Sequence, residues 1–298
     1  MNTGPSAEPS GVVISSNRLS ATVSPRGAEL VRLATVDGAD LQWSGDPAVW
    51  SGRAPILFPV IGVLQGGRYR YGDATYPMPK HGFARHSVFE TVSRTDASAT
   101  FHLAASDATR GIYPFEFQLD VSFTLGDAAL RVSAEIANPG EKPLPASFGF
   151  HPAFCWPLPF GAPRDEHRLV FPQPEPAPVR RIDADGFLTP LPRPTPVAND
   201  TLMLRDELFV DDALIFDRLA SRSVRYGAPG TPGLRVDFAD FPTLGVWTKP
   251  GAGFVCIEPW HGFSDPEGFA GDIRDKPGGF QVAPGARLTL AMTISFEE

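Results

Sequence analysis

The chain has 298 residues, of which 42% are hydrophobic and 22 are phenylalanine, so it is long and apolar enough to bury a sizeable core. Its formal net charge is -8 and it contains no run of Lys or Arg, which argues against nucleic acid and anionic membrane surfaces as partners. The 29 glycines and 32 prolines exceed the usual combined share of about 12%, and they predict many turns and few long helices.

The N-terminus and the cysteines bear on compartment and domain organisation. Residues 1–10 are small and polar, lack the basic start and apolar run of a signal peptide, and are predicted to form a disordered tail. Cys155 and Cys256 are too few for a disulfide framework, which favours free thiols in a reducing compartment. No stretch reaches the ~18 apolar residues of a membrane helix. We therefore expect a cytoplasmic protein, monomeric or homodimeric, in which residues 11–298 form one domain.

Strand patterns follow one another along the chain, and helical spacing is nearly absent. Apolar and polar side chains alternate with a period of two at 69–76, 117–125, 130–136, 234–238 and 288–296. Turns at Gly72-Asp73 and Gly126-Asp127 join neighbouring segments as antiparallel hairpins. Antiparallel sheets with one polar face must pack their apolar faces together. The predicted fold class is therefore all-β, a large antiparallel β-sandwich with few short helices.

The segment 155–200 departs from this pattern. It holds eleven prolines, which leave few N–H donors for a central sheet. Strand patterns of the same type lie on both sides of it, so it is not a domain boundary. We predict a long surface excursion that could form the rim or lid of a cleft.

Three motifs place ionisable groups among aromatic and conformationally restricted residues, as a polar site in a partly apolar cleft requires. They are the segments 79–85, 148–154 and 255–260, which carry His81, His151 and Glu258. Each residue also has a purely structural interpretation: a solvated loop histidine, a core histidine bonded to a backbone carbonyl, and a glutamate in an ion pair.

The motifs 148–154 and 255–260 carry residues that could act as an acid and a base. His151 follows an apolar strand and precedes a proline that stiffens the chain, and an imidazole titrates near neutral pH. Glu258 leaves a buried run of four apolar residues, so desolvation would raise its affinity for protons and make it a usable base. Trp260 offers a flat apolar surface for the carbon face of a sugar.

Hydrogen-bond donors for a ligand come from the earlier part of the chain. His81 precedes Gly82, which lets backbone approach a ligand closely, and it could donate to a hydroxyl. The guanidinium of Arg53 could fork onto vicinal hydroxyls or a phosphate.

No motif indicates a metal or a cofactor. His81, His151, Glu258 and His261 lack the paired spacing that arranges metal ligands in advance. There is no phosphate-binding loop, dinucleotide fingerprint or serine-nucleophile elbow. We therefore predict a site without metal or cofactor.

In this order and rough spacing, four motifs resemble those of the aldose 1-epimerases, in particular the bacterial LacX-like subgroup of galactose mutarotase-like proteins. The motifs are Pro55-Ile56-Leu57-Phe58-Pro59, His81-Gly82-Phe83-Ala84-Arg85, Gly149-Phe150-His151-Pro152-Ala153-Phe154 and Ile257-Glu258-Pro259-Trp260. The resemblance covers residue 11 to the C-terminus. It implies the galactose mutarotase-like supersandwich, with a sugar bound in an open cleft on one sheet.

The same resemblance implies roles for individual residues. His151 would be the general acid toward the ring oxygen and Glu258 the general base on the C1 hydroxyl. His81 and Arg53 would hold ring hydroxyls, and Asp212 would also bind substrate. We expect the Glu258 carboxylate and the His151 imidazole to face each other across a gap as wide as one pyranose ring.

The predicted function is interconversion of the α and β anomers of an aldohexose or hexose phosphate. A non-catalytic carbohydrate-binding protein or sugar sensor on the same fold is the alternative, because a cleft can bind whether or not chemistry follows. Glycoside hydrolysis is a third hypothesis, and it needs a second carboxylate such as Asp265 or Asp212.

Overall fold

The structure is a computed structural model that describes residues 11–298. The tail predicted for residues 1–10 lies outside the described residues. The strands are, in chain order, β1 (Val12–Ser15), β2 (Leu19–Ser24), β3 (Glu29–Thr35), β4 (Ile56–Leu57), β5 (Arg68–Tyr71), β6 (Ala74–Pro77), β7 (Glu90–Arg94), β8 (Ser98–Ala104), β9 (Gln118–Leu125), β10 (Ala129–Ala137), β11 (Leu144–Ala146), β12 (Phe148–Phe150), β13 (Ala153–Cys155), β14 (Arg168–Val170), β15 (Thr201–Met203), β16 (Leu214–Phe216), β17 (Ser223–Gly227), β18 (Gly233–Asp237), β19 (Thr243–Trp247), β20 (Phe254–His261), β21 (Phe280–Val282) and β22 (Arg287–Glu297).

Helical structure consists of short pieces. The helix α1 (Asp107–Arg110) is capped by Ser106, whose Oγ accepts a hydrogen bond from the backbone N–H of Thr109 at 3.2 Å. The 3₁₀ turns are Gln65–Gly67, Ala84–His86, Arg164–Glu166, Asp206–Phe209 and Ile273–Asp275. Among the described residues, no helix is long and apolar enough to cross a membrane.

A nine-stranded antiparallel sheet forms one large layer, in the order β15-β14-β17-β18-β22-β10-β9-β8-β7. Leu130 pairs with Leu125 across the turn at Gly126-Asp127, which confirms the predicted meander of β9 and β10. The segment predicted at 288–296 is β22, which lies between β18 and β10. The all-β prediction, with large antiparallel sheets and little helix, is confirmed.

The prediction that the whole proline-rich segment is a surface excursion is wrong. Residues 155–200 contribute β14, which lies inside the large sheet between β15 and β17. Residues 168–170 contain no proline, so their N–H groups are free to pair on both sides. The remainder of the segment carries isolated bridges, and part of it runs beside a cleft on the smaller sheet.

That smaller sheet carries the candidate site. Its order is β16-β19-β20-β12-β4, with β13 also paired to β20. Along β20, Val255 and Ile257 point into the main hydrophobic core, which they share with inward side chains of the nine-stranded sheet such as Val121 and Ile294. Because side chains alternate along a strand, Glu258 and Trp260 lie on the opposite face. The period of two therefore decides which residues of β20 can reach a ligand.

Candidate functional site

A cleft of about 450 Å³ lies on the outer face of the smaller sheet. It falls within the range of roughly 300 to 1,000 Å³ typical of small-molecule sites. The five predicted residues that line it are His81, His151, Asp212, Glu258 and Trp260. These residues lie far apart in sequence, and the sheet brings them to one place.

The floor of the cleft depends on two glycines that flank Trp260. Gly149 pairs with Trp260 on β12, and Gly245 lies on the neighbouring strand β19. A Cβ atom at Gly149 would lie 2.6 Å from the indole, and one at Gly245 would lie 2.7 Å from it. The indole can therefore lie flat across the sheet only because both neighbours lack side chains. Its Nε1 is buried, and its proximity to the carboxyl group of Glu258 opposes part of the rise in the pKa of that group.

Glu258 and His151 are in direct contact. Imidazole Nε2 lies 3.0 Å from carboxylate Oε2, and the exposed fractions of the two residues are 8% for His151 and 1% for Glu258. The contact lacks hydrogen-bond alignment, since Oε2 has no hydrogen-bond partner within residues 11–298. The expected gap of one pyranose width is absent, because β12 and β20 are adjacent strands. Both groups can still address one carbon centre from the same side.

Burial controls the protonation of this pair. Desolvation lowers the pKa of His151 to about 3, and the positive charges of Arg85 and Lys80 act in the same direction. Desolvation also raises the pKa of Glu258 well above its ordinary value, and the negative charge of Asp212 adds to this effect. Both shifts favour the uncharged forms. The favoured state is thus a neutral imidazole beside a protonated carboxyl group.

Aromatic rings enclose the imidazole of His151. Trp50 lies 5.3 Å from it between ring centroids at an interplanar angle of 32°, and Trp247 lies 6.0 Å away at 77°. Trp50 is itself stacked on Phe254 at 5.2 Å. These contacts fix the position of the imidazole and exclude water from one side of it.

His81 presents a donor to the cleft. The backbone N–H of Gly62 donates to its Nδ1 at 3.1 Å, so in the neutral imidazole the proton resides on Nε2. Burial, together with the nearby His151, keeps the pKa of His81 well below its ordinary value. The next residue, Gly82, has a φ of +74°, and a Cβ there would lie 2.1 Å from the carbonyl oxygen of Phe58. Only glycine fits this turn.

Two cations line the cleft that the predicted site set did not include. Arg85 and Lys80 both contribute to its wall. Burial lowers the pKa of Arg85, which is opposed by the carboxylate of Glu29. Arg85 and Lys80 give the cleft a positively charged side that can donate hydrogen bonds to hydroxyls or to an anionic group.

Arg53 does not join the cleft. Its Nε donates to the carbonyl oxygen of Ser44 at 2.6 Å, and its side chain lines a separate cavity that also includes Trp43. The carboxylate of Glu29 accepts from the backbone N–H groups of Arg53 and Ala54 at 2.8 and 2.9 Å. These bonds fix the backbone so that the guanidinium extends toward the other cavity.

Asp212 stands at the rim of the cleft. Its φ is +64°, and its Oδ1 accepts from the backbone N–H of Ala213 at 2.7 Å. Asp265, by contrast, is buried away from the cleft, where its Oδ1 accepts from Nζ of Lys276 at 2.6 Å and its Oδ2 from the N–H of Gln65 at 2.9 Å. Only Asp212 of these two aspartates therefore faces a ligand.

One cluster has donor types that metals use. His151, Cys256 and Glu258 each offer one atom, and these atoms lie within 4.8 Å of one another. Two of them already contact each other, and burial raises the pKa of the Cys256 thiol well above its ordinary value, which disfavours the thiolate a metal needs. The absence of a metal cofactor stays a prediction.

Comparison with known proteins agrees with the motifs and the fold. The sequence profile of the family described as aldose 1-epimerase matches residues 11–278. The chain belongs to the aldose 1-epimerase family. It is 33% identical over 268 residues to the chromosomal protein LacX of Lactococcus lactis subsp. lactis, covering 87% of this chain and 90% of LacX.

Solved structures of this family share the fold. A galactose mutarotase-like protein from Lactobacillus casei superposes with a TM-score of 0.89 at 30% identity, covering 96% of this chain and all of that one (100%). A galactose mutarotase related enzyme from Lactobacillus acidophilus gives 0.88 at 28% identity, covering 97% of each chain. The expected resemblance to LacX-like members of the aldose 1-epimerase family is confirmed.

The sequence analysis of this aldose 1-epimerase family member did not identify several residues that line the cleft. Some of them carry a signal in the sequence and others do not. Arg85 was available within the motif 81–85, four residues after His81. Trp247 ends β19 on the same face as Gly245, so strand periodicity could have found it. Trp50 lies in a loop, where no periodic signal exists.

Proposed function

We propose that the protein is an aldose 1-epimerase that interconverts the α and β anomers of an aldohexose or a hexose phosphate. The observation that supports this most strongly is the contact between Glu258 and His151 at the base of a sugar-sized cleft. Anomer exchange needs one proton delivered to the ring oxygen and one removed from the C1 hydroxyl. Both oxygens are bonded to the same carbon, so an acid and a base that lie side by side match the reaction.

A single proton held by the pair is enough for the whole cycle. It starts on Glu258 and crosses to Nε2 of His151, which lies 3.0 Å from the carboxylate oxygen. His151 then donates to the ring oxygen while Glu258 takes the proton of the C1 hydroxyl. The bond from C1 to the ring oxygen breaks, leaving an open-chain aldehyde with a hydroxyl at the former ring oxygen, and the pair returns to its starting state.

Closure on the other face uses the same steps in reverse. Rotation about the bond from C1 to C2 turns the aldehyde over, Glu258 protonates the carbonyl oxygen and His151 removes the proton from the attacking hydroxyl. Proton transfer of this kind contributes about 10² to 10⁴ in rate for each group. Every atom and charge balances between protein and sugar.

The remaining cleft residues orient the sugar in this proposal. Trp260 lies under the carbon face of the ring, and Nε2–H of His81 donates to a hydroxyl. Asp212 accepts from a hydroxyl at the rim. Arg85 and Lys80 bind hydroxyls or, in a hexose phosphate, the phosphate group.

Polarimetry of freshly dissolved α-glucose and α-galactose tests the proposal. The wild-type protein should accelerate mutarotation, and Glu258→Gln, which keeps the shape and removes the base, should reduce the rate to near background. NMR anomer exchange across a panel of free and 6-phosphorylated hexoses then assigns the substrate. Near wild-type turnover by Glu258→Gln would remove this residue from the mechanism.

A non-catalytic sugar-binding protein is the second candidate. It is favoured by the burial of Glu258, which raises the pKa of this carboxyl group well above its ordinary value and so disfavours the ionised base. Calorimetric binding of a hexose without any acceleration of mutarotation would support this function over the first.

A further inference from the structure

A thiol lies next to the acid and base pair at the bottom of the cleft. The Sγ of Cys256, one nitrogen of the His151 imidazole and one carboxylate oxygen of Glu258 lie within 4.8 Å of one another. Cys256 and Glu258 are two residues apart on β20, so their side chains leave the strand on the same face. The proposed reaction uses the imidazole and the carboxyl group and gives the thiol no part.

The carboxyl group of Glu258 has an acceptor that the fold leaves unused. Its Oε2 is buried and has no hydrogen-bond partner within residues 11–298. The Nε2 of His151 lies 3.0 Å from this oxygen without the alignment of a hydrogen bond. Because buried polar atoms are nearly always paired in folded proteins, this oxygen is suited to bind an external partner.

The spacing of the three donor atoms suits a tetrahedral cation. Zinc binds cysteine sulfur at about 2.3 Å and histidine nitrogen or carboxylate oxygen at about 2.0 to 2.2 Å. Ligand atoms around one tetrahedral zinc ion therefore lie about 3.3 to 3.7 Å apart. Side-chain shifts of about 1 Å bring atoms that lie within 4.8 Å to this spacing. The fourth position is left for an oxygen from the cleft, which His151 and Glu258 both line.

A divalent cation removes the cost of ionising the two acids of this cluster. Desolvation raises the pKa of Glu258 and that of the Cys256 thiol well above their ordinary values, so each group on its own favours its protonated form. One divalent cation replaces two protons, which leave for solvent, and its charge balances the new thiolate and carboxylate. The cluster is neutral before and after binding, and no group is oxidised or reduced.

Charged residues around the cleft act on such a cation in both directions. After desolvation, the negative charge of Asp212 has the largest effect on the pKa of Glu258 and raises it, while the positive charge of Lys80 lowers it by less. At His151, desolvation is again the largest cause of the low pKa, and Arg85 and Lys80 add to it and so oppose a cation. The cation is therefore held mainly from β20, by the carboxylate and the thiolate.

The donor types decide which cations fit. A thiolate, an imidazole and a carboxylate form a mixed set that suits zinc and cadmium, whereas Mg²⁺ and Ca²⁺ prefer oxygen ligands alone. Trp50, Trp247 and Phe254 belong to the same apolar cluster as Cys256. An apolar shell of this kind limits solvent access to the donors and strengthens their bonds to an enclosed ion.

We propose that His151, Cys256 and Glu258 form an inhibitory site for a thiophilic divalent cation such as Zn²⁺. The bound cation occupies the imidazole nitrogen and the carboxylate oxygen that would otherwise exchange protons with a sugar. Binding of the cation is independent of the proposed function, whereas the inhibition rests on it, because the cation blocks the acid and the base of anomer exchange.

The first experiment titrates zinc chloride into the protein and follows mutarotation by polarimetry. The wild-type rate should fall to near background and return when EDTA is added, and magnesium chloride should leave it unchanged. Cys256→Ser and Cys256→Ala should turn over sugar within about threefold of wild type and need at least about tenfold more zinc for the same inhibition, since they lack one ligand. Cys155→Ser is the matched control and should be inhibited like wild type, because Cys155 is the other thiol and lies outside the cluster.

The second experiment measures binding without turnover. Calorimetry of the wild-type protein with zinc chloride should show a bound cation, and cadmium chloride should give the charge-transfer absorption of a cadmium–thiolate bond. Both signals should be lost in Cys256→Ser and kept in Cys155→Ser. If no sugar is turned over, the proposed function fails and these two measurements alone decide the site. Absence of zinc binding by the wild-type protein overturns the proposal, as does equal zinc binding or inhibition in wild type and Cys256→Ser.

Discussion

Trp50 covers the imidazole of His151, with 5.3 Å between ring centroids. Burial is the largest cause of the low pKa of His151, and the ring of Trp50 packs against this imidazole. Trp50→Ala should therefore admit water and raise the pKa of His151 from about 3 toward its ordinary value, by about one unit or more.

Imidazole NMR titration measures this shift and does not depend on turnover. Trp43→Phe is the matched control, because Trp43 contacts Phe254 at 5.2 Å from the same aromatic group but does not line the cleft. A His151 pKa that stays unchanged in Trp50→Ala, or that shifts equally in both variants, would show that Trp50 does not keep water from the imidazole.

Glu258→Gln should increase stability while it removes activity. The raised pKa of Glu258 means that the folded protein keeps a proton that the unfolded chain releases above the ordinary glutamate range near 4.3. Stability contributed by this group is therefore present at low pH and is lost as the pH rises toward the folded-state pKa. Glutamine has no such dependence. The variant should thus gain over wild type by up to about 1.4 kcal/mol per pH unit across that range.

Thermal unfolding of both proteins at pH 5, 6, 7 and 8 checks the sign. The lowered pKa of His151 destabilises both proteins as the pH falls below the imidazole range, so the differences in Tm at pH 7 and 8 carry the comparison. A Tm difference that is constant with pH, or that shrinks as the pH rises, would show that Glu258 is ionised in the folded protein.

The sequence predicted a hairpin of the large sheet and the buried strand that leads to the site. The meander at 117–137 follows from period and turn chemistry alone, and the apolar run 254–257 indicates the strand before Glu258. The short distance between His151 and Glu258 could not be predicted from the sequence, because it depends on β12 lying next to β20. That pairing joins segments about a hundred residues apart.

The direction of side chains in loops also could not be predicted from the sequence. Arg53 and Arg85 are both arginines beside motif residues, and sequence alone offers no means of choosing between them. The choice is made by Glu29, whose carboxylate holds the backbone at Arg53 and directs its side chain out of the cleft. Such long-range contacts are a tertiary property that local patterns do not contain.

Gly149→Ala should damage the floor of the cleft. The new Cβ would lie 2.6 Å from the Trp260 ring, which is packed tightly and cannot move without displacing its neighbours. We expect a loss of about 1 to 3 kcal/mol in stability and a fall in kcat/KM, measured by denaturant unfolding and polarimetry. Gly126→Ala is the control, since its nearest atom would lie 3.7 Å away in a turn. Equal tolerance of both changes would mean that Trp260 is free to shift on the sheet.

Arg85→Ala and Arg53→Ala should differ in their effect on sugar binding, because only Arg85 lines the cleft. Loss of a hydrogen bond from a charged donor costs about 1.5 to 3 kcal/mol, which corresponds to a rise in KM or Kd of about 10-fold to 150-fold for Arg85→Ala. Arg53→Ala should leave KM and Kd within about twofold of wild type.

Calorimetry with free and 6-phosphorylated glucose measures Kd for both variants. A larger loss of affinity for the phosphorylated sugar in Arg85→Ala would place the phosphate group against Arg85. If Arg53→Ala weakened binding and Arg85→Ala did not, the sugar would have to bind in the cavity beside Trp43, and the assignment of the cleft would be wrong.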